Sequence, residues 1–185
     1  MPDTNADEIF EIVDETGRVI GTAPRKKCHG DPSLLHQSIH VFVFDRAGNL
    51  FLQKRSMKKD SQPGKWDTSV GGHMSPGEKP HQTAMRETGE ELGFTPSSPP
   101  VFAYQFIWRS DFESELIRSF VVIHDGPFKL DADEISEGRF WSPEEIAANL
   151  SGEIFTPQFR HEYPRMRDWI ATSGAVRFEP GRNRG

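Results

Sequence analysis

Apolar residues along this chain fall into short stretches whose spacing is more often that of strands than that of helices. Residues 38–44 are nearly all β-branched or aromatic, which predicts a central strand buried on both faces. A polar turn then leads into residues 50–54, where two sets of side chains alternate as in a second strand. Residues 8–13 and 19–21 flank another polar turn and predict an N-terminal β-hairpin over 8–21.

Glycine, proline and capping residues divide the rest of the chain. Residues 80–92 suit a helix that starts at a proline, with Gly93 just beyond its C-terminus. Ser142 begins a second helix with a capping box, and a third helix is predicted over 157–171. Strand-like runs fill the intervals at 66–70, 101–108, 116–124 and 138–141. This order predicts an α/β fold in three layers, α/β/α, around a mixed β-sheet.

The size and the cysteine content narrow the class of protein. A chain of 185 residues predicts a single domain over 1–185, with a core near 36–170. The lone cysteine, Cys28, excludes a disulfide framework, and the first residues are acidic where a secretory signal begins basic. We therefore expect a cytoplasmic protein. No apolar run approaches the roughly 18 residues needed to span a bilayer, so we expect no membrane segment.

Charge limits the partners. Acidic residues outnumber basic ones by 28 to 22, for a formal net charge of -6. Nonspecific binding to nucleic acid requires a basic face, so we expect no nucleic-acid partner. If the substrate is anionic, cations must come from another source, such as a bound metal.

Three glutamates crowd one face of the predicted helix over 80–92. At about 100° per residue, Glu87, Glu90 and Glu91 are related as i, i+3 and i+4. Like charges this close destabilise an isolated helix, so helix propensity does not explain them. A single glutamate here is typical of a solvated face. The three together predict a site for Mg²⁺, which is commonly shared between carboxylates and substrate phosphates.

Residues 72–94 resemble the signature of Nudix hydrolases, G-x5-E-x7-R-E-U-x-E-E-x-G-U, where U is aliphatic. Gly72 and Glu78 occupy the first two fixed positions, and the others follow at the family's spacing: Arg86, Glu87, Glu90, Glu91 and Gly93. Thr88 stands at a U position and departs from the pattern. Because Thr88 lies on the face of the predicted helix that packs on the core, we expect its hydroxyl to donate a hydrogen bond to the carbonyl of Ala84.

The resemblance implies a fold, a cofactor and a reaction. The family fold is an α/β/α sandwich around a mixed sheet, in agreement with the interpretation of the apolar pattern. By resemblance, Glu87, Glu90 and Glu91 bind Mg²⁺ or Mn²⁺ and carry catalysis. Arg86 and Glu78 resemble the family's structural ion pair. The family cleaves the diphosphate linkage of nucleoside diphosphates joined to another moiety, so the implied partner is a small-molecule diphosphate.

Residues around the signature resemble the isopentenyl-diphosphate isomerase branch of the same superfamily. The matching positions are Leu35, His36, Arg55, Pro63, Gly64, Trp66, Ser69, Val70, Gly72 and His73. In that branch three histidines and two glutamates hold a second divalent metal. By resemblance, the second site here consists of His29, His36, His73, Glu113 and Glu115. Such a ligand set suits Mn²⁺, Zn²⁺ or Mg²⁺. The remaining histidines are interpreted as surface or hydrogen-bonded residues.

One position departs from the isomerase pattern. The isomerase has an acid/base cysteine where this chain has Gly71, and glycine has no group that transfers a proton. We therefore expect isomerase activity to be absent. Cys28 is interpreted as a small apolar filler, although its place beside His29 leaves a redox role open.

Several residues outside the signature are candidates for the remaining roles. The base that activates water is expected among Glu90, Glu91 and two glutamates of an acidic loop, Glu134 and Glu137. Candidates for substrate binding are Arg55, Lys58, Lys59 and the backbone at Gly72. Four aromatic side chains could stack on a base, but core packing explains them better: Trp66, Phe106, Trp108 and Phe112. Trp141 is interpreted as structural.

These features leave three function classes. The leading hypothesis is a metal-dependent diphosphohydrolase. The alternatives are a diphosphate-binding module without catalysis and an isomerase or hydrolase of isoprenoid diphosphates. The apolar N-terminal hairpin is compatible with a homodimer and equally with a sheet edge inside one subunit.

Overall fold

Nine strands and four helices form the protein in its computed structural model, which describes residues 8–59 and 61–179. The strands are β1 (Ile9–Val13), β2 (Val19–Pro24), β3 (Leu35–Phe44), β4 (Leu50–Arg55), β5 (Trp66–Asp67), β6 (Val70–His73), β7 (Val101–Arg109), β8 (Ser114–Ile123) and β9 (Ile135–Trp141). The helices are α1 (Arg25–Cys28), α2 (Pro80–Leu92), α3 (Pro143–Asn149) and α4 (Pro157–Ser173).

The sheet is organised around β3. This strand runs parallel to β8 over its full length, from Leu35 opposite Ser114 to Phe44 opposite Ile123. It pairs antiparallel with β6, and with β4 only at its C-terminal end. β4 pairs antiparallel with both β5 and β9, while β7 covers the outer edge of β8. Parallel and antiparallel pairs occur in one sheet, which confirms the predicted mixed sheet.

Side chains of β3 alternate between two apolar layers, and every residue of the strand is buried. Ile39, Val41 and Val43 pack on α2, in a layer that includes Ala84 and Leu92. Phe42 and Phe44 pack on α3 and α4, in a layer that includes Ile146, Phe159 and Met166. The sheet is therefore the middle of three layers, as the sequence predicts, and the central strand is buried on both faces.

The boundaries of α2 are those that the sequence predicts. Pro80 occupies the first turn, and Gly93 ends the helix in the left-handed conformation, with φ 71°. Thr88 faces the core, and its hydroxyl donates a hydrogen bond of 2.7 Å to the carbonyl of Ala84. The predicted back-bond is confirmed, and it explains how a polar residue occupies an aliphatic position of the helix.

The caps of the last two helices are also confirmed. Ser142 accepts a hydrogen bond from the amide of Glu145 and forms the predicted capping box at the start of α3. Thr156 caps α4, which ends at Ser173, two residues beyond the predicted end. The first turns of α4 matter for function, because they contact polar side chains of β3 and β8.

The single strand predicted over 66–70 was wrong, because the chain changes partner within this stretch. β5 pairs with β4, whereas β6 pairs with β3. Ser69 lies at the crossing, where its hydroxyl donates to the carbonyl of Phe51 and accepts from the amide of Val43. One short polar side chain thereby joins β3 and β4. This change of partner places Gly71, Gly72 and His73 on β6 beside the middle of β3.

The N-terminal hairpin is confirmed, with a β2 that extends to Pro24. Val19 and Ile20 on β2 are 48% and 60% exposed. The hairpin meets the rest of the sheet where Ile12 pairs with His36. Pairing with a second subunit stays a prediction.

Candidate active site

A cavity of about 530 Å³ opens beside the middle of β3. Ile39 reaches it from the α2 face of the sheet, and Ser38 and His40 reach it from the α4 face. Its walls contain members of both predicted metal sites: Glu87, Glu90, Glu91, His29, His73, Glu113 and Glu115. The two predicted sites therefore share one cavity.

The three signature glutamates differ in their surroundings. The side chain of Glu90 is 57% exposed, that of Glu87 is 13% exposed, and Glu91 is buried. Glu91 accepts a hydrogen bond of 2.9 Å from the side-chain amide of Gln53. Burial raises the pKa of Glu87 to about 7, and burial together with the charges of Glu87 and Glu134 raises the pKa of Glu91 well above its usual range. A nearby cation would stabilise the ionised form of carboxylates buried in this way.

Arg86 connects the glutamates of the signature. Its guanidinium lies 2.9 Å from the carboxylate of Glu78, which confirms the predicted ion pair. The same group also contacts Glu87 at 2.8 Å and Glu90 at 3.0 Å. It donates a further hydrogen bond to the carbonyl of His73. Hydrogen bonding to Glu78, and then the charge of Glu87, raise the pKa of Arg86. The arginine therefore ties the helix to the loop and to β6.

The glutamates are less tightly grouped than the helical spacing predicts. Within residues 8–59 and 61–179, the side chains that bring three or more ligand atoms within 4.8 Å of one another are those of His29, His36, His73 and Glu113. The signature glutamates do not form such a group, because Glu87 and Glu90 contact Arg86 while Glu91 contacts Gln53. A metal role for them stays a prediction.

Gly72 makes room for Glu87. It lies opposite Ile39 in the pairing of β6 with β3, on the face toward α2. A Cβ at this position would stand 2.1 Å from the carboxyl carbon of Glu87, which is a steric overlap. The first glycine of the signature therefore lets α2 bring this carboxylate against the strand. Its predicted role in binding substrate through the backbone stays untested.

The histidine site assembles residues from four separate parts of the chain. His29 follows α1, His36 lies on β3, His73 ends β6, and Glu113 precedes β8. His29 Nε2 lies 3.3 Å from Glu113 Oε2, and His73 Nε2 lies 3.5 Å from Glu115 Oε1. Glu115 is directly opposite His36 in the pairing of β3 with β8. All five residues that the resemblance implies are therefore together.

The ring nitrogens of this site suit a metal ion. Nδ1 of His36 lies 3.2 Å from the carbonyl of Leu34, so Nδ1 carries the proton and Nε2 carries the lone pair. Nε2 of His36 and Nε2 of His73 are buried and make no hydrogen bond in the described residues. Burial lowers the pKa of His36 and lowers that of His73 well below its usual range. Both rings are therefore neutral, which is the form that binds metal.

Phe10 forms the apolar floor of the histidine site. Its ring is fully buried and stacks on His73 at 4.3 Å and on His36 at 5.1 Å between centroids. Cys28 lies in the same apolar cluster, where burial raises the pKa of its thiol. This placement agrees with the interpretation of Cys28 as an apolar filler, since a thiol with a raised pKa is a poor nucleophile.

Known proteins share both the sequence pattern and the fold. The NUDIX domain family model matches residues 34–163. The chain belongs to the NUDIX family. An isopentenyl-diphosphate Delta-isomerase of Streptomyces avermitilis is 36% identical over 156 residues, which cover 82% of this chain and 79% of the relative. An uncharacterized Nudix hydrolase of Rhodococcus erythropolis is 34% identical over 154 residues, which cover 78% of this chain and 83% of the relative.

Solved structures agree with the Nudix assignment. The crystal structure of DR0079 from Deinococcus radiodurans gives a TM-score of 0.75 at 24% identity and covers 85% of this chain and 98% of that protein. The structure of a MutT protein from Methanosarcina mazei gives a TM-score of 0.64 at 26% identity, with 75% and 95% covered. The Nudix-type fold and the isomerase-like branch are thus confirmed. Nudix enzymes act on small-molecule diphosphates with divalent metal ions.

Two of the three predicted phosphate-binding cations lie in the wall of the Nudix cavity. Arg55 contacts Asp67 at 3.3 Å, and Lys59 pairs with Glu134. Lys58 is not part of the cavity wall, although its 71% exposed side chain pairs with Asp133, which is. Substrate binding by Arg55, Lys58 and Lys59 stays a prediction.

The two glutamates predicted in the acidic loop are separated by the start of β9. Glu134 precedes the strand and lines the cavity. Glu137 lies within β9, opposite Lys54 of β4, and pairs with that lysine at 3.5 Å. The prediction of Glu137 as a loop residue was wrong, so only Glu134 remains as a candidate base from this region.

The aromatic candidates do not line the cavity. Trp66 packs in the apolar layer on α3 and α4, where its ring meets Trp141 edge to face at 5.1 Å. Phe106 is buried, and Trp108 lies beside His161. Phe112 and the other three are absent from the cavity wall. This placement agrees with core packing for Trp66 and Phe106, whereas Phe112 is 38% exposed and core packing does not explain it.

Sequence reasoning missed a buried polar group on the α4 side of the cavity. His40 contacts Glu162 at 2.5 Å across 122 positions of sequence. Gln158, also on α4, donates a hydrogen bond of 2.6 Å to Glu115 of the histidine site. The only signal in the sequence was a histidine within an otherwise apolar strand. Nothing in the local pattern identifies α4 as the source of its partner.

Proposed function

We propose that the protein is a Nudix hydrolase that uses Mg²⁺ or Mn²⁺ to cleave the diphosphate linkage of a nucleoside diphosphate derivative or a related diphosphate. The observation that carries the proposal is that residues 72–94 hold every glycine, glutamate and arginine of the signature, with Glu87, Glu90 and Glu91 in the wall of one polar cavity. The histidine site in the same cavity supports a second divalent ion.

The residues fit a hydrolysis of the diphosphate. Bound divalent ions would supply positive charge to the phosphate oxygens and acidify a water molecule. Glu90, Glu91 or Glu134 accepts a proton from the attacking water, whose oxygen forms the new bond to phosphorus. The bond from phosphorus to the bridging oxygen breaks, and the leaving phosphate keeps the electron pair. Arg55 and Lys59 contact oxygens of the bound diphosphate.

A second candidate function is isomerisation of isopentenyl diphosphate. It is favoured by the compact histidine site and by relatives that carry the isomerase name, including the one that is 36% identical. Gly71 opposes it, because this position of β6 offers no side chain that transfers a proton. We therefore infer hydrolysis as the main activity.

A phosphate-release panel tests the proposal. Pure protein with Mg²⁺ or Mn²⁺ is given nucleoside di- and triphosphates, sugar nucleotides, dinucleotide polyphosphates and isopentenyl diphosphate, and any isomerised product is also measured. We expect hydrolysis of at least one diphosphate, and a loss of about 10²–10⁴-fold in kcat for Glu91→Gln if Glu91 is the base. Glu90→Gln is the parallel variant. Equal, slow phosphate release by all three proteins contradicts the proposal, and isomerisation without hydrolysis establishes the second candidate.

Several expectations stay predictions. No helix among the described residues is long and apolar enough to cross a membrane. We propose a cytoplasmic location on the ground that the lone cysteine is a free thiol. A single domain, the absence of a nucleic-acid partner and a homodimer are likewise expected from sequence alone.

A further inference from the structure

His40 and Glu162 form a buried pair that none of the roles above uses. Nδ1 of His40 lies 2.5 Å from Oε2 of Glu162, whose side chain is fully buried. The other oxygen, Oε1, accepts hydrogen bonds from the hydroxyl of Ser119 and, at 3.2 Å, from that of Tyr104. Donors on β3, β7 and β8 thereby fix a carboxylate of α4, and that carboxylate fixes the imidazole ring.

The opposite edge of the ring faces the cavity. His40 lines the cavity and lies directly across from Gly71 in the pairing of β3 with β6. A Cβ at Gly71 would stand 3.6 Å from Cδ2 and 3.8 Å from Nε2 of the ring. Since glycine places no side chain there, this edge stays open. Within residues 8–59 and 61–179 the ring has Glu162 as its hydrogen-bond partner, through Nδ1, which leaves Nε2 available to a ligand.

The surrounding carboxylates give the ring a positive charge. Burial alone lowers the pKa of His40, but the charge and hydrogen bond of Glu162 outweigh burial and raise it to about 9. Asp67 of β5 and Glu115 of β8 also face the ring and act in the same direction. At neutral pH both ring nitrogens are therefore protonated, and Nε2 is a charged donor.

A purely structural role explains this arrangement poorly. A buried ion pair is seldom more stabilising than well-packed apolar side chains of similar volume. A packing role also gives no reason for the Nε2 edge to face a cavity whose wall carries many carboxylates. An anionic ligand needs cations in such a wall, and two of its other cations, Arg55 and Lys59, are paired with carboxylates through their charged ends.

We propose that His40 is a substrate-binding residue that donates a charged hydrogen bond from Nε2 to a phosphate oxygen of a diphosphate, with Glu162 as the positioning residue behind it. The proposal rests on the proposed function for the class of ligand. It adds a contact on the α4 side of the cavity, opposite the signature helix. A diphosphate bound there lies between the signature glutamates on the α2 side of the cavity and the His40 cation on the α4 side.

Binding of methylenediphosphonate, a diphosphate analogue that cannot be hydrolysed, tests the proposal separately from catalysis. Calorimetry with Mg²⁺ compares wild type with the double variant His40→Gln/Glu162→Gln, which removes both charges together and leaves no single buried charge. We expect the dissociation constant to rise about 10- to 100-fold, as for a lost charge-assisted hydrogen bond. The control is His81→Gln, which changes an exposed histidine on α2 and should bind within about twofold of wild type.

A second readout uses wild type alone, so that it does not depend on the folding of a variant. In ¹⁵N NMR spectra the Nε2 resonance of His40 is expected to move as methylenediphosphonate is added, while that of His81 stays in place. An unmoved His40 resonance with wild-type affinity in the double variant overturns the proposal, even if the protein hydrolyses diphosphates. A moved resonance with weakened binding supports it, even if no diphosphate is hydrolysed and the proposed function fails.

Discussion

The two predicted metal regions of the cavity are built in different ways. The glutamate region comes from five consecutive positions of one helix, Glu87 to Glu91. The histidine region collects residues from β3, β6, β8 and the segments that follow α1 and precede β8. The histidine region is already compact, with its ligand atoms within 4.8 Å. In the glutamate region Arg86 contacts two of the three carboxylates.

This difference indicates how each region meets a metal ion. The rings of His36 and His73 are neutral and lie on strands, so we expect an ion to bind there without a change of partner. We expect the glutamates to exchange contacts with Arg86 for contacts with an ion, and a bound substrate phosphate to add further ligands. We therefore expect the histidine region to hold metal more tightly, and the glutamate region to bind metal together with the substrate.

Removal of one proposed ligand from each region should have the largest effect, which is on the affinity for Mn²⁺. His36→Asn is expected to weaken the tighter class of Mn²⁺ site by at least about 10-fold, because it removes a buried, preoriented ring nitrogen. Glu90→Gln should leave this class unchanged and weaken only the second class. Titration with Mn²⁺, followed by electron paramagnetic resonance of the free ion, separates the two. A single class of site that responds equally to both variants contradicts the comparison.

The adjacent glycines of β6 offer a matched pair of variants with a smaller effect. Gly72→Ala places a Cβ 2.1 Å from the carboxyl carbon of Glu87, whereas Gly71→Ala meets its nearest atom, in His40, at 3.6 Å. We expect the first variant to lower the free energy of unfolding by about 1–3 kcal/mol. The second should change it by less than about 1 kcal/mol. Urea unfolding measures both, and equal losses would show that Glu87 moves aside freely.

In metal-free protein, the stability of the fold should depend on pH through Glu87 of the glutamate region. The pKa of Glu87 is about 7 in the folded protein against a usual 4.5, so the folded state holds the proton more tightly. Its contribution to stability is present below pH 4.5 and is lost as the pH rises toward 7. Relative to Glu87→Gln, wild type should lose about 1–3 kcal/mol over this interval.

The measurement is urea unfolding at several pH values in the presence of a chelator. The variant serves as the control because every other titratable group is the same in both proteins. Added Mg²⁺ should reduce the loss, since ion binding favours the deprotonated carboxylate. Parallel pH profiles for the two metal-free proteins would show that burial does not perturb Glu87.

Features set by nearby residues could be predicted from the sequence. The double burial of β3, the ends of α2 and the hydrogen bond of Thr88 to Ala84 all follow from spacing within one element. The pair of Arg86 with Glu78 followed from resemblance to the family signature and is confirmed. In each case the residues concerned are close in sequence or lie on one strand.

Features set by distant pairing could not be predicted. The contact of His40 with Glu162 joins residues 122 positions apart, and it depends on which face of β3 receives α4. The change of partner at Ser69 depends on β3 and β4 approaching the same hydroxyl group. The histidine site followed from resemblance, because neither spacing nor periodicity brings α1 beside β8.

The most direct test of a two-region metal centre is a crystal soaked in Mn²⁺ with a nonhydrolysable diphosphate, examined by anomalous scattering. We expect one peak within coordination distance of His36 and His73, and a second peak between the diphosphate and the carboxylates of Glu87, Glu90 and Glu91. Density for the diphosphate with no anomalous peak at these glutamates, and with the carboxylates still on Arg86, would contradict the account.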